Sequence, residues 1–258
     1  MNKIIEIFNY RGMISSLVKR DLKGRYKGSV LGFFWTFLNP LLQLGVYTLV
    51  FSVIMRNGIS DYYLYLFVAL IPWLYFSTCV SGGCNCVLSN AALVGKIYFP
   101  REVLPIAYTV SQLVNMILSF LVVFAVLIAS GKGINLEAIL YLPIIIFVET
   151  FLSLGVTFLF SAICVFFRDL IYLLGIISMV WQFVTPVMYG IDMVPEEMHG
   201  VFMLNPMTAI IVAYRDILYY KKIPEVSTLL NAFVFGVCTL IVGVIVFEKA
   251  QKHFAECM

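Results

Sequence analysis

The sequence predicts an all-α integral membrane protein: six transmembrane helices, an N-terminal amphipathic helix in the membrane interface, and short re-entrant helices on the outer side. Three observations carry this. Of the 258 residues, 62% are hydrophobic and 12% are charged, against roughly 45–50% and about 25% in a soluble domain. The mean hydropathy is +0.99, and the apolar residues are spread along the whole chain. Six stretches approach the roughly 20 apolar residues needed to cross a hydrocarbon core of about 30 Å: near 30–55, 62–88, 104–129, 137–166, 170–190 and 226–247.

In chain order, residues 1–29 place Ile4, Ile7, Phe8, Ile14, Leu17 and Val18 at helical spacing, followed by a basic cluster. That pattern suits a helix in the headgroup plane, its apolar side in the acyl boundary and its bases on phosphates. Arg20, Lys23, Arg25 and Lys27 are the candidates for meeting a lipid phosphate at the point of substrate access. No removable signal peptide is expected, because the apolar run before Arg11 is short and lacks a small-residue cleavage site. Residues 30–190 hold the first five spans, with a tight turn at Arg168-Asp169 between the fourth and fifth. Residues 191–225 contain a stretch of about a dozen apolar and aromatic residues, too few to span, so it reads as re-entrant or interfacial. Pro206 is placed to open its second helix, where a missing N–H costs nothing. Residues 226–247 form the sixth span and 248–258 a tail, giving one transmembrane domain over 1–258. Counted by alternate connections, 12 of the 17 Lys and Arg fall on the side of the termini, which places both termini in the cytoplasm.

Catalytic chemistry is absent from this pattern. His199 and His253 are the only histidines and fall on opposite sides of the membrane without partners at metal-ligand spacing. No G-x-x-x-x-G-K-[ST] loop occurs, so the chain is not expected to bind ATP. The six cysteines have no paired C-x-x-C spacing and read as small apolar packing residues. Nothing implies a nucleic-acid partner or a metal. Glu149 is the one clear acid inside a span; about fifteen surrounding Leu, Ile, Val and Phe contribute roughly −4.5 to −9 kcal/mol to insertion, more than its charge costs. It reads either as a functional intramembrane acid or as a neutral group hydrogen-bonded between helices. On the first span, Phe33, Phe37, Pro40, Leu44, Tyr47 and Phe51 share one helical face. That face is either lipid-facing or packed, or it is the wall of a channel on which sugar rings slide, with Trp181, Phe183 and Tyr189 opposite.

Four motifs carry a family resemblance: "RDLKGRYKGSVLGFFWTFLNP" at 20–40, "KIYFPREVLP" at 96–105, "FFRDL" at 166–170 and "LNPMTAIIVAYRDILYY" at 204–220. The chain resembles the permease subunit of ABC transporters that export O-antigen, teichoic acid and rhamnan-type wall polysaccharides, a branch of the ABC-2 (type V exporter-like) superfamily. The resemblance implies a homodimer in the cytoplasmic (inner) membrane, joined to two copies of a separate ATPase that holds ATP and Mg. It implies a cytoplasmic coupling helix at about 93–105, in which Lys96, Tyr98, Phe99, Arg101 and Glu102 enter the ATPase, with Arg168 and Asp169 as a second contact. The cargo implied is an undecaprenyl-diphosphate-linked polysaccharide. A drug or small-lipid exporter, a membrane-embedded glycan-modifying enzyme and a passive or ion-coupled carrier are the competing readings.

Overall fold

The computed structural model describes residues 2–25, 28–56 and 58–254. Two short helices, α1 (Asn2–Asn9) and α2 (Arg11–Gly24), precede the first span and break at Tyr10. The first span runs over Gly32–Ile54, as α3 (Trp35–Thr48) followed by a π-helical segment at Leu49–Ile54. Then come α4 (Tyr62–Ser81), a one-turn α5 (Ala91–Val94), α6 (Val103–Ala129), a one-turn α7 (Leu136–Ile139) and α8 (Leu142–Phe166). The last third comprises α9 (Leu170–Val184), α10 (Glu196–Leu204), α11 (Pro206–Leu218) and α12 (Val226–Ala250). Five of these segments are long and apolar enough to cross a membrane, and the α10–α11 pair is bent by 102°. The chain is a multi-pass membrane protein.

Helix α4 is the centre of the bundle: 78% of its most apolar stretch is buried, against 11% for the first span. Lipid-like surface therefore lies on the outer helices and the densest packing around α4.

The tightest helix pair is α8 with α12, where small residues let the backbones touch as membrane interfaces favour. A Cβ added to Gly155 would lie 2.5 Å from the Leu240 amide nitrogen, and one added to Gly243 would run into the Gly155 carbonyl. Gly236 and Gly243 are seven residues apart, close to two helical turns, so both face α8. The phenylalanine pairs Phe158–Phe247 (5.2 Å) and Phe151–Phe233 (6.0 Å) flank the contact.

The two ends of the bundle gather the connections that the charge count grouped. At one end Lys132 bridges to Asp61 at 2.7 Å, Asn135 donates to the Lys221 carbonyl at 2.9 Å, and Tyr219 bonds to Ser60. At the other end Lys3 meets Glu102 and Glu248, Arg20 bonds Asn90, and Phe166 lies 6.3 Å from Phe254.

Three expectations about elements need correction. The fifth span does not reach residue 190 as helix. It stops at Val184, 15 residues long, about 22 Å, because Pro186 lacks an N–H and forces the preceding Thr185 into extended backbone. The segment 93–105 is not one helix: a single turn ends at Val94, residues 97–100 are irregular, and α6 begins at Val103. The apolar side of α2 is not all free to face the acyl boundary. Leu17 is buried, and Met13, Ile14 and Val18 pack with it on a cluster from α6, α8 and α12; Ile5 and Phe8 of α1 are the exposed ones.

Candidate functional site

The end of the bundle that gathers α1 and the end of α12 forms an open groove of about 490 Å³, lined by Lys3, Glu6, the 94–102 segment and Gln251. Its lip is the irregular stretch ending at Pro100. The predicted coupling residues divide here into two sets. Lys96, Ile97 and Tyr98 project outward, Tyr98 being 87% exposed. Phe99, by contrast, is 5% exposed and packs in a cluster that includes Leu17, Val103, Phe158, Phe247 and Phe254. Glu102 is also buried, accepting from Gln251 Nε2 at 2.8 Å and facing Lys3 at 3.5 Å. Arg101 donates to the Gln251 carbonyl, with its guanidinium 5.7 Å from the Phe254 ring. The expectation that Phe99 and Glu102 enter a partner is thus corrected. They are the root of the loop, held by the end of α12, and Tyr98 is its tip.

Lys3 also pairs with Glu248 at 2.8 Å. That hydrogen bond raises the Lys3 pKa, partial burial opposing it. Because Lys3 is more than half exposed and Gln251 still serves Glu102, Lys3→Ala is expected to cost no more than about 1 kcal/mol. Thermal unfolding of the purified variant checks this. Arg168 and Asp169 are exposed at the same end.

The basic candidates are already engaged. Arg20 bonds Asn90. Arg25 forks onto Asp21 at 3.0 and 3.3 Å, and Asp21 also accepts from Ser111 of α6. Lys23 is exposed, and Lys27 lies outside the described residues. Behind Arg25 a cavity of about 230 Å³ opens between α3, α4 and α6.

The aromatic face of the first span is not one open wall. Phe33 is exposed and meets Phe37 edge-on at 5.5 Å. Pro40 and Leu44 are buried, while Tyr47 and Phe51 pack on the core, Phe51 at 6.1 Å from Tyr62. Aliphatic Leu42, Val46, Leu49, Val53 and Ile54 are exposed on this span as well. Of the residues expected opposite, Phe183 is exposed. Tyr189 is half-buried and donates to the Phe183 carbonyl at 2.6 Å. Trp181 stacks edge-on with Phe76 at 5.0 Å.

Two further polar centres lie toward the opposite end of the bundle. Glu149 is fully buried and accepts a 2.6 Å hydrogen bond from Tyr214 of α11. Arg215 is 2% exposed and donates to the carbonyls of Pro186 (2.6 Å), Val187 (2.7 Å) and Tyr189 (3.1 Å). Its guanidinium lies 3.7 Å from the Tyr65 ring centre. Tyr62 caps the remaining Met188 carbonyl at 2.7 Å. The irregular backbone after α9 is therefore satisfied by side chains, as bilayer depth requires. Asn205 secures the hairpin corner: its side-chain oxygen caps α11 at Met207 N and accepts from Trp181, and its amide donates to Thr185 at 2.8 Å.

Sequence reasoning missed Arg215 by assigning it to an outer connection. The signal was its place at the end of the apolar helix that Pro206 opens, which folds back against α4 and α8. Among the described residues, no three His, Cys, Asp or Glu side chains converge as a metal site, and His199 bonds the Val194 carbonyl at 2.8 Å.

Comparison with known proteins bears on this arrangement. The profile described as "ABC-2 type transporter" matches residues 13–219. The O-antigen export system permease protein RfbA of Myxococcus xanthus is 36% identical over 97% of both chains. The RfbA protein of Klebsiella pneumoniae is 30% identical over 94% of this chain and 93% of its own. The polysialic acid transport protein KpsM of Escherichia coli is 21% identical over 93% of both. A profile match over most of the chain, together with near full-length identity above 30%, fixes the assignment: this protein belongs to the ABC-2 type transporter membrane family.

Proposed function

We propose that this chain is the membrane-spanning half of an ATP-driven exporter that moves a lipid-linked cell-surface polysaccharide across the cytoplasmic membrane, with both termini in the cytoplasm. The observation that carries the reading is the near full-length similarity to O-antigen export permeases, in a chain whose exposed inner loop offers a docking tip but no nucleotide-binding motif. Energy therefore enters by contact. A separate ATPase, holding ATP and Mg, seats on the Lys96–Tyr98 tip and the adjacent groove, with Arg168 and Asp169 beside it. Aromatic tips of this kind are the usual anchors of interfaces.

Two copies of the chain bound the translocation path. In the single chain α9 buries only Leu174 and Ser178, so most of its apolar surface is available to a second copy and to cargo, with Phe183 and Phe33 on open faces. Lys23, and the unused donors of Arg20 and Arg25, meet the diphosphate of the lipid carrier at the inner headgroup level.

The test is reconstitution into proteoliposomes with and without the cognate ATPase. ATP-dependent delivery of an undecaprenyl-diphosphate glycan by the complex, and none by the chain alone, is the expected result. Movement or modification of the glycan by the chain alone would overturn it.

A further inference from the structure

Adjacent residues of α11 hold two different spans. Tyr214 reaches Glu149 on α8 at 2.6 Å, and Arg215 reaches the three carbonyls that follow α9. Successive helical residues point about 100° apart, so one short helix faces α8 on one side and the end of α9 on the other. Asn205 adds a second attachment to α9 at the hairpin corner, through Trp181 and Thr185. Both grips are buried: Glu149 is 0% and Arg215 2% exposed.

What α8 does is set by α12. At Gly155 and Gly243 the two backbones touch with no room for a side chain between them, so α8 and α12 form one close-packed beam. The inner end of that beam is tied to the docking loop, because Gln251 bonds both Arg101 and Glu102. A displacement of the loop thus has an unbroken run of packed and hydrogen-bonded groups to the outer hairpin.

Burying an arginine that pairs with no carboxylate among the described residues is costly, and ionisable groups within membrane helices usually serve function. A hydrophobic residue would pack α11 against α4 equally well, but it would not hold three carbonyls of irregular backbone. Position alone is not evidence of coupling; here the added argument is that the two grips are made by consecutive residues of one short rigid element.

We propose that α11 is a strut: Tyr214, bonded to Glu149, and Arg215, clasping the 186–189 carbonyls, act as positioning residues that transmit motion of the α8–α12 beam to the outer end of α9. This rests on the exporter reading and adds how the outer end of the path is opened. Glu149 then serves as an acceptor for Tyr214, not as a proton carrier.

The experiment measures glycan exported per ATP hydrolysed by the complete permease–ATPase complex in proteoliposomes. Y214F and E149A are expected to assemble and hydrolyse ATP within about twofold of wild type, yet lower the ratio at least tenfold. E149Q, whose amide oxygen still accepts from Tyr214, should return to within about threefold. R215K keeps the charge but loses the planar fork and should also lower the ratio. A wild-type ratio in Y214F and R215K would overturn the strut. Collapse of assembly in both would also overturn it, because the contacts would then be structural props alone. E149Q failing as fully as E149A would overturn the acceptor role. A wild-type complex that exports no glycan would instead sink the exporter reading; the strut is then measured on whichever cargo the wild type moves.

Discussion

Replacing Gly155 and Gly243 together by alanine is expected to destabilise the protein by about 3 kcal/mol or more, seen as a lower unfolding temperature and a smaller monodisperse fraction in detergent. The reason is geometric. The atoms that a new methyl at Gly155 would meet are the main chain of Thr239 and Leu240 at 2.5 to 2.7 Å, and backbone cannot rotate away as a side chain can. Overpacking in ordinary cores costs about 1–3 kcal/mol per site. Here the helices must separate along their contact, which loosens the neighbouring phenylalanine pairs as well. Because the two glycines share one contact, the double variant should lose less than the sum of the singles. Gly12→Ala, where nothing lies within 4 Å, is the control and should be nearly neutral. Equal behaviour of the two variants would refute the close-packed beam.

Much of this architecture is legible in the sequence, because the bilayer imposes simple rules. A run of about 20 apolar residues has few alternatives to a spanning helix, and alternation of the spans groups the connections as the two ends of the structure do. The hairpin at 195–220 is legible for the same reason: its apolar run is too short to cross, and Asn205-Pro206 supplies both cap and bend. What escapes is anything decided by which way a side chain turns in irregular backbone. Tyr98 and Phe99 are consecutive aromatics in an identical composition, yet one is a tip and the other a root. Only the packing of α2, α8 and α12 beneath the loop separates them. Arg215 escapes for a related cause. Counted as a loop charge it is a number in a side-preference argument, whereas its three acceptors come from residues 186–189, exposed as acceptors only because Pro186 ends α9 early.

Tyr98→Ala and Phe99→Ala are therefore expected to fail in opposite ways, although the residues are neighbours. Phe99→Ala empties a packed aromatic site and should cost about 3–5 kcal/mol of stability, with transport lost only as folded protein is lost. Tyr98→Ala removes an exposed side chain and should leave stability within about 0.5 kcal/mol of wild type. As a central aromatic anchor its loss should still weaken ATPase binding by about 2 kcal/mol or more, close to a thirtyfold change in affinity. Unfolding temperature and ATPase titration, measured on both variants, separate the two effects. Should Tyr98→Ala bind the ATPase as wild type does, the loop tip is not the docking element. The driving contact would then have to be sought at the other exposed turn of that end, Arg168-Asp169, where Phe167 and Tyr172 are exposed beside the two charges.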